Sequence, residues 1–294
     1  MAKYDTKELN ATIDDILNTT VEDILTDGQN KSQAQPNVAT QTQPKAMGQG
    51  KSKAAAAGND IENESQEVVL HKEKMDFRQE EAYKTLRANI EFVGEDVQVI
   101  AVTSCIPGEG KSSVAMNLSM ALAESGHKVL VIDADLRKSV LVSRYKTGRI
   151  RYGLTHYLSS GKHRSEITFH SDVHNLDIIF SGPVPPNPSE LLGGKRFREM
   201  VGQLRSQYDY IIIDTPPLGS VIDSAVVSKV CDGTVLVIAA HTISYRMAQR
   251  VKSQLVTADC RILGCVLNKV ELRKGSYYGK YYGKYYGNYD SDKL

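Results

Sequence analysis

The chain has 294 residues, 41% hydrophobic and 24% charged, the proportions of one large or two small soluble globular domains. Thirty-six lysines and arginines against 35 acidic residues leave a formal net charge of +1, without the basic excess of a general nucleic-acid binder, so no nucleic-acid partner is expected. No apolar run reaches the roughly 18 residues of a membrane helix, and the N-terminal MAKYDTKELN lacks the apolar core of a signal peptide, so we expect a cytoplasmic protein. The cysteines (Cys105, Cys231, Cys260, Cys265) form no C-x-x-C pair, and neither disulfides nor structural zinc are expected.

Residues 1–27 carry two lysines against seven acidic side chains, with Leu9, Ile13, Ile16, Leu17, Val21, Ile24 and Leu25 at three- and four-residue steps. That pattern reads as a frayed tail or as a short amphipathic docking segment for a partner. Residues 28–67 turn to Gln, Asn, Ser, Ala, Gly and Pro without apolar periodicity, the composition of a disordered linker.

Over residues 68–274 short apolar runs alternate with amphipathic stretches. Val97–Thr103, Val129–Asp133, Leu176–Phe180, Tyr210–Asp214, Thr234–Ala239 and Ile262–Leu267 read as strands. Ser112–Glu124, Pro188–Gln207 and Tyr245–Thr257 read as helices. Continuously apolar strands imply an α/β fold with a mainly parallel sheet covered by helices on both faces. Ligands of such sheets bind beyond the carboxyl ends of the strands, where each motif described next falls. Residues 275–294 instead repeat YYGK, YYGK and YYGN, placing seven of the fifteen tyrosines within thirteen residues. Glycine at every fourth position defeats a stable helix, so this tail is expected to be flexible.

The first strand runs into Thr103-Ser-Cys-Ile-Pro107-Gly108-Glu109-Gly110-Lys111-Ser112-Ser113, and a helix follows. Strand, glycine turn, Gly-Lys-Ser and helix make a P-loop, in which backbone N–H groups and the helix N-terminus cradle phosphates. Residues Pro107 to Ser113 are the expected ATP-binding loop: Lys111 would reach the outer phosphates and Ser112 would ligate Mg²⁺. Cys105 stands where the P-loop pattern has its first glycine; we read it as a small buried filler. A second strand ends in Asp133-Ala134-Asp135-Leu136-Arg137, whose alternate carboxylates share one strand face and call for a cation. A third, Tyr210-Ile-Ile-Ile-Asp214, is the apolar strand with a terminal aspartate that holds Mg²⁺ in Walker B motifs. Asn268, after the last strand, would either touch the adenine edge or form a turn.

Three such motifs in this order resemble the bacterial tyrosine kinases (BY-kinases) of polysaccharide export, which use a P-loop fold unrelated to eukaryotic protein kinases. The resemblance covers about residues 75–294. It includes Glu81-Ala-Tyr-Lys84-Thr-Leu-Arg87, similar to the family's E-x-x-R-x-x-R assembly motif with Lys84 where Arg is usual. It also includes Pro186-Asn-Pro-Ser-Glu190-Leu-Leu and the tyrosine-rich end. The resemblance implies an ATP- and Mg²⁺-dependent protein tyrosine kinase that regulates capsule or exopolysaccharide synthesis. In that reading Lys111 and Asp133 are catalytic, and Asp133 orients or deprotonates the acceptor phenol. Ser112, Asp133, Asp135 and Asp214 serve the metal, although the sequence leaves open which aspartate is base and which is ligand. Glu81, Lys84 and Arg87 would join copies into a ring. Tyr277, Tyr278, Tyr281, Tyr282, Tyr285, Tyr286 and Tyr289 would be phosphorylated in trans, since a flexible chain reaching about 5–6 Å × √n can enter a neighbour's site. The implied partners are a transmembrane activator of the chain-length-determinant type, an opposing tyrosine phosphatase and polysaccharide-synthesis enzymes. The activator would recruit the kinase to the inner face of the membrane. The alternative is a partition or septum-site ATPase switch, whose loop has an extra lysine where this chain has Ile106. Iron–sulfur carrier ATPases need a C-terminal C-x-x-C that is absent.

Overall fold

A computed structural model describes residues 66–270 of the chain. The acidic segment 1–27, nearly all of the linker and the tyrosine repeat lie outside the described residues. Eight strands form one sheet: β1 (Glu67–Val68), β2 (Val99–Ser104), β3 (Val129–Asp133), β4 (Thr168–Ser171), β5 (Leu176–Ile179), β6 (Tyr210–Asp214), β7 (Gly233–Ala239) and β8 (Ile262–Asn268). Their spatial order is β1-β4-β5-β3-β6-β2-β7-β8. Every neighbouring pair is parallel except β4 with β5. The expected mainly parallel sheet is therefore present, with β4 and the short β1 at one side running antiparallel to the other six strands.

The apolar strands split their side chains between two layers. Ile100, Val102, Val129, Val131 and Ile212 pack with Val114, Met116, Leu118 and Leu122 of helix α2 (Lys111–Glu124). The intervening Val99, Leu130, Ile132, Ile211 and Ile213 face the other way. They meet Phe197, Met200, Val201 and Leu204 of helix α6 (Lys195–Leu204). Every residue of β2 and β3 is buried, the physical reason these strands read as unbroken apolar runs.

Helix α1 (Phe77–Val93) opens with a capping box: Asp76 accepts from the Gln79 N–H at 2.8 Å, and the Gln79 amide oxygen accepts from the Asp76 N–H at 3.0 Å. Leu86, Ile90 and Val93 tie it to the α2 layer. The single helix expected over Pro188–Gln207 is two, α5 (Pro188–Gly193) and α6, because Gly194 is extended at φ −72°, ψ 162°. The remaining helices are α3 (Leu141–Arg144), α4 (Leu154–Ser160), α7 (Asp223–Ser228) and α8 (Tyr245–Thr257). Among the described residues no helix is long and apolar enough to cross a membrane.

At the end opposite the glycine loop, Asp232 latches two strands together. One carboxylate oxygen accepts from the Val99 and Gln98 N–H groups at 2.7 and 3.0 Å, and the carboxylate is gripped at both oxygens by Arg205 at 2.8 Å. Burial raises a carboxyl's pKa, yet the guanidinium and the two N–H groups outweigh it and hold Asp232 below the usual carboxylate range.

Candidate active site

The loop between β2 and α2 turns twice through the left-handed region, at Gly108 (φ +86°) and Gly110 (φ +95°). A side chain on Gly110 would also collide with the Asn268 amide. Glu109, 1% exposed, folds under the loop: its carboxylate accepts from the Ile106 N–H at 2.8 Å and from the Ala239 N–H of β7 at 3.2 Å. From the end of β8, the Asn268 amide donates to the Glu109 carbonyl at 2.8 Å, and the Lys269 ammonium donates to the Gly108 carbonyl at 2.7 Å. The loop is thus fastened to β7 and β8. Asn268 acts here as a clamp on the loop backbone, a role its position did not suggest, and it also lines the cleft over the loop.

Cys105, fully buried, packs among Leu218, Leu236 and Val251, the filler role expected of it. Burial, with the Glu109 and Cys265 charges, pushes its thiol up to about 12, away from thiolate chemistry.

Sheet register brings the acidic strand ends to the loop. Asp133 of β3 lies directly beside Asp214 of β6, whose other neighbour is Val102 of β2. β3 stops at Asp133, so Asp135 belongs to the following turn rather than to the shared strand face the alternation suggested. Its carboxylate reaches the Lys111 ammonium at 3.0 Å and accepts from the Lys138 N–H at 3.0 Å. Lys111 also lies 3.3 Å from Asp214 and 3.2 Å from the Ser112 hydroxyl. Asp133 is held differently, by the Ser139 hydroxyl and the Asp135 N–H. Lys111, Ser112, Asp133, Asp135 and Asp214 are all buried, at 9% exposure or less.

Around the Lys111 ammonium, burial and charge shift the protonation of Asp133 and Asp214. Burial and then the Asp214 charge push the Asp133 carboxyl up to about 7, while the Ser139 hydroxyl and Lys111 hold it lower. Asp214 is raised chiefly by burial, against Lys111 and a hydrogen bond from Ser112. Burial alone would discharge Lys111; Asp214 and Asp135 outweigh it and keep the ammonium charged. A carboxyl balanced near neutrality can accept and release a proton in the working pH range.

Magnesium asks for one or two carboxylates, phosphate oxygens and waters rather than a full protein cage. Among the described residues no group of three or more acidic, histidine or cysteine side chains forms such a cage. Ser112 bonded to Asp214 offers the hydroxyl–carboxylate pair that the smaller demand requires. The glycine loop and α2 N-terminus offer the phosphate donors. The donor set fits Mg-nucleotide.

A cleft of about 630 Å³ opens over Lys111, Ser112 and Asp135, lined also by other loop residues, Pro216 and Pro217, the end of β8, and α1 through Gln79 and Tyr83, while Asp133 and Asp214 lie beneath its floor. Tyr83 hydrogen-bonds Asn117 of α2, and burial raises its phenol's pKa. Two links escaped the sequence reading. Arg137 grips fully buried Asp223 through Nε at 2.7 Å and also contacts Ser189 at 3.1 Å, joining D-x-D-x-R to Pro186–Leu192. Both ends sit in motifs, but nothing around Asp223 marks it. Arg144 donates to the Ser113 hydroxyl at 2.7 Å, a contact with no local signature. Glu81 and Lys84 pair within α1 at 2.7 Å, and Arg87 faces Glu91 at 3.6 Å. These three lie apart from the loop.

A family model described as an AAA domain matches residues 97–255. The tyrosine-protein kinase CpsD of Streptococcus agalactiae is 40% identical over 212 residues, covering 72% of this chain and 92% of that protein. The kinase domain of Escherichia coli tyrosine kinase ETK gives a TM-score of 0.61 at 30% identity, over 67% of this chain and 79% of that one. The septum-site-determining protein MinD of Pyrococcus horikoshii, solved with Mg-ADP, gives 0.51 at 26% identity, over 58% and 69%. The kinase relatives match more closely than the septum-site protein, CpsD over 92% of its length, so the chain belongs to the bacterial tyrosine kinases and is a protein-tyrosine kinase.

Proposed function

We propose that the chain binds Mg-ATP at the Pro107–Ser113 loop and transfers the γ-phosphoryl group to tyrosines of the 275–294 tail on a neighbouring copy. The observation that carries this reading is the buried Lys111 ammonium between Asp135 and Asp214 at the mouth of the glycine loop, with Asp133 alongside. Phosphoryl transfer needs placement and charge neutralisation more than covalent chemistry. Lys111 and the loop N–H groups would neutralise phosphate oxygens, and Ser112 with Asp214 and Asp135 would hold Mg²⁺, which would supply further positive charge against the phosphates. A phenol with a pKa near 10 needs a base at neutral pH; Asp133, lifted toward neutrality by burial, takes its proton.

The tail supplies acceptors in Tyr277, Tyr278, Tyr281, Tyr282, Tyr285, Tyr286 and Tyr289, all outside the described residues. Glu81, Lys84 and Arg87 on α1 join copies into a ring, and phosphates accumulating on the tails loosen it by repulsion. The kinase works in the cytoplasm, recruited to the membrane by a transmembrane activator and reversed by a tyrosine phosphatase. It regulates enzymes of capsule or exopolysaccharide synthesis, the setting that the family resemblance implies. The experiment is phosphopeptide mapping after incubation with Mg-ATP. Phosphate on the tail tyrosines is expected; an unmodified tail beside phosphotyrosine elsewhere would end the tail assignment.

A further inference from the structure

Between Asp135 and Glu166 the chain carries eight lysines and arginines and no acidic residue. In a protein of net charge +1 this is a concentrated cationic stretch, and it begins at the active-site cleft: Arg137, Lys138 and Arg144 line the wall that Lys111 and Asp135 also line. Arg137 is neutralised by Asp223 and Lys162 by Glu166. Lys138, Arg144, Lys146, Arg149 and Arg151 are exposed, and none has an ion-pair partner among the described residues. Arg144 is anchored on Ser113, next to the Ser112 hydroxyl. Arg151, 5.1 Å from the Tyr152 ring centroid, is braced by an aromatic face rather than by an acid. Lys146, Arg149 and Arg151 follow Arg144 within seven residues, at most about 25 Å of extended chain.

Uncompensated cations beside a phosphoryl-transfer site call for an anion that arrives there. We infer that this stretch is a track for phosphotyrosines already formed on the incoming tail, so that the first phosphate on the repeat promotes the next. The inference rests on the tail being the acceptor. Unmodified, the repeat is not attracted, since its own charges within Tyr277–Asn288 are Lys280 and Lys284. Each transfer adds about −1.5 to −2 charge and three acceptor oxygens, the chemistry that guanidinium groups bind best. The four-residue period suits this: when one phenol is at Asp133, its equivalent one repeat along an extended chain lies about 13 Å away. The track thereby makes modification of the cluster progressive rather than random.

The test uses the full chain with its own seven tail positions blocked by Tyr→Phe changes and synthetic 276–294 peptides added in trans. One peptide is unmodified, one carries a single phosphotyrosine at Tyr285, and one is fully phosphorylated with a fluorophore. The singly phosphorylated peptide is expected to show about a tenfold lower KM, about 1.4 kcal/mol, which shrinks at high salt. Arg149→Glu with Arg151→Glu is expected to abolish that advantage while leaving the unmodified peptide's kcat unchanged. The milder Arg149→Gln with Arg151→Gln reduces it partway and guards against a folding artefact. Anisotropy of the fluorescent peptide reads the track without catalysis. Transfer to the unmodified peptide with equal KM values and no anisotropy change overturns the track and leaves the tail reading intact. Anisotropy lost in the Glu pair, with neither peptide labelled, overturns the tail reading while the anion site stands. Binding to phosphatidylglycerol vesicles that the Glu pair abolishes, with phosphopeptide binding unaffected, assigns the stretch to lipid and overturns the proposal.

Discussion

Lys111→Met, the natural control for catalysis, should also be a stability mutant. Lys111 is 9% exposed, and its ammonium lies 3.0 Å from Asp135 and 3.3 Å from Asp214, with Asp133 beside them. Methionine fills much of the volume but leaves three buried carboxylates without a cation. Breaking a buried pair from one side costs about 3–5 kcal/mol, which in a domain of this size lowers the melting temperature by on the order of 10 °C. The cost depends on pH with a definite sign. Losing Lys111 raises the carboxyl pKa values further, Asp133 already being at about 7. An acid with a raised folded pKa binds more protons folded than unfolded, so stability falls as pH climbs from the unfolded value near 4 through the folded one. Nucleotide-free unfolding followed by calorimetry at pH 5.5, 7 and 8 should show the deficit of the variant widening with pH. A variant that melts with the wild type at pH 8, or a deficit unchanged from pH 5.5 to 8, would refute the assignment of Lys111 as the cation that holds this cluster together.

Glu109→Gln keeps the size of the side chain but turns one acceptor into a donor facing an N–H group, Ile106 or Ala239. We expect a loss of about 1–3 kcal/mol and weaker ATP binding in calorimetric titration; unchanged ATP affinity would show that the loop does not depend on this clip. Gly110→Ala places a side chain at φ +95° and against the Asn268 amide, so ATP binding should fall at least tenfold, and normal binding would contradict the loop geometry. Asp232→Ala strands the Gln98 and Val99 N–H groups and Arg205, costing about 2–3 kcal/mol at pH 7. Because the Asp232 pKa is depressed, its contribution is complete above the unfolded value near 3.9 and disappears as pH falls through the folded one. Denaturant titrations of wild type and variant should therefore show a gap that narrows as pH falls below the unfolded value, and a constant gap would argue against an ionic latch.

Legibility in the sequence followed burial. β3 and β6 were readable to the residue because central parallel strands are apolar on both faces. β4 was not: only Phe169 of its four residues is buried, and a strand with polar Thr168, His170 and Ser171 at its half-buried and exposed positions carries no continuous apolar signal. α1 was hidden for a related reason, since only Ile90 of its seventeen residues is fully buried. The candidate site was legible because glycine turns, a lysine such as Lys111 and acidic strand ends are what phosphate and Mg²⁺ binding calls for. What could not be read was how side chains are shared across elements. Glu109 looked like a loop residue yet ties the loop to β7. Asp223 lies far along the chain from Arg137, and only the fold brings the two together.

Phosphoryl transfer from ATP to tyrosine is the central claim, and one parallel measurement addresses it. The full chain, supplied with its membrane activator and Mg-ATP labelled at the γ-phosphate, is followed for phosphotyrosine and for free phosphate at once, with Lys111→Met beside it. The account predicts label on tyrosine that appears with wild type and is absent from the variant. Rapid release of inorganic phosphate with no labelled tyrosine would contradict it and describe a nucleotide-hydrolysing switch instead.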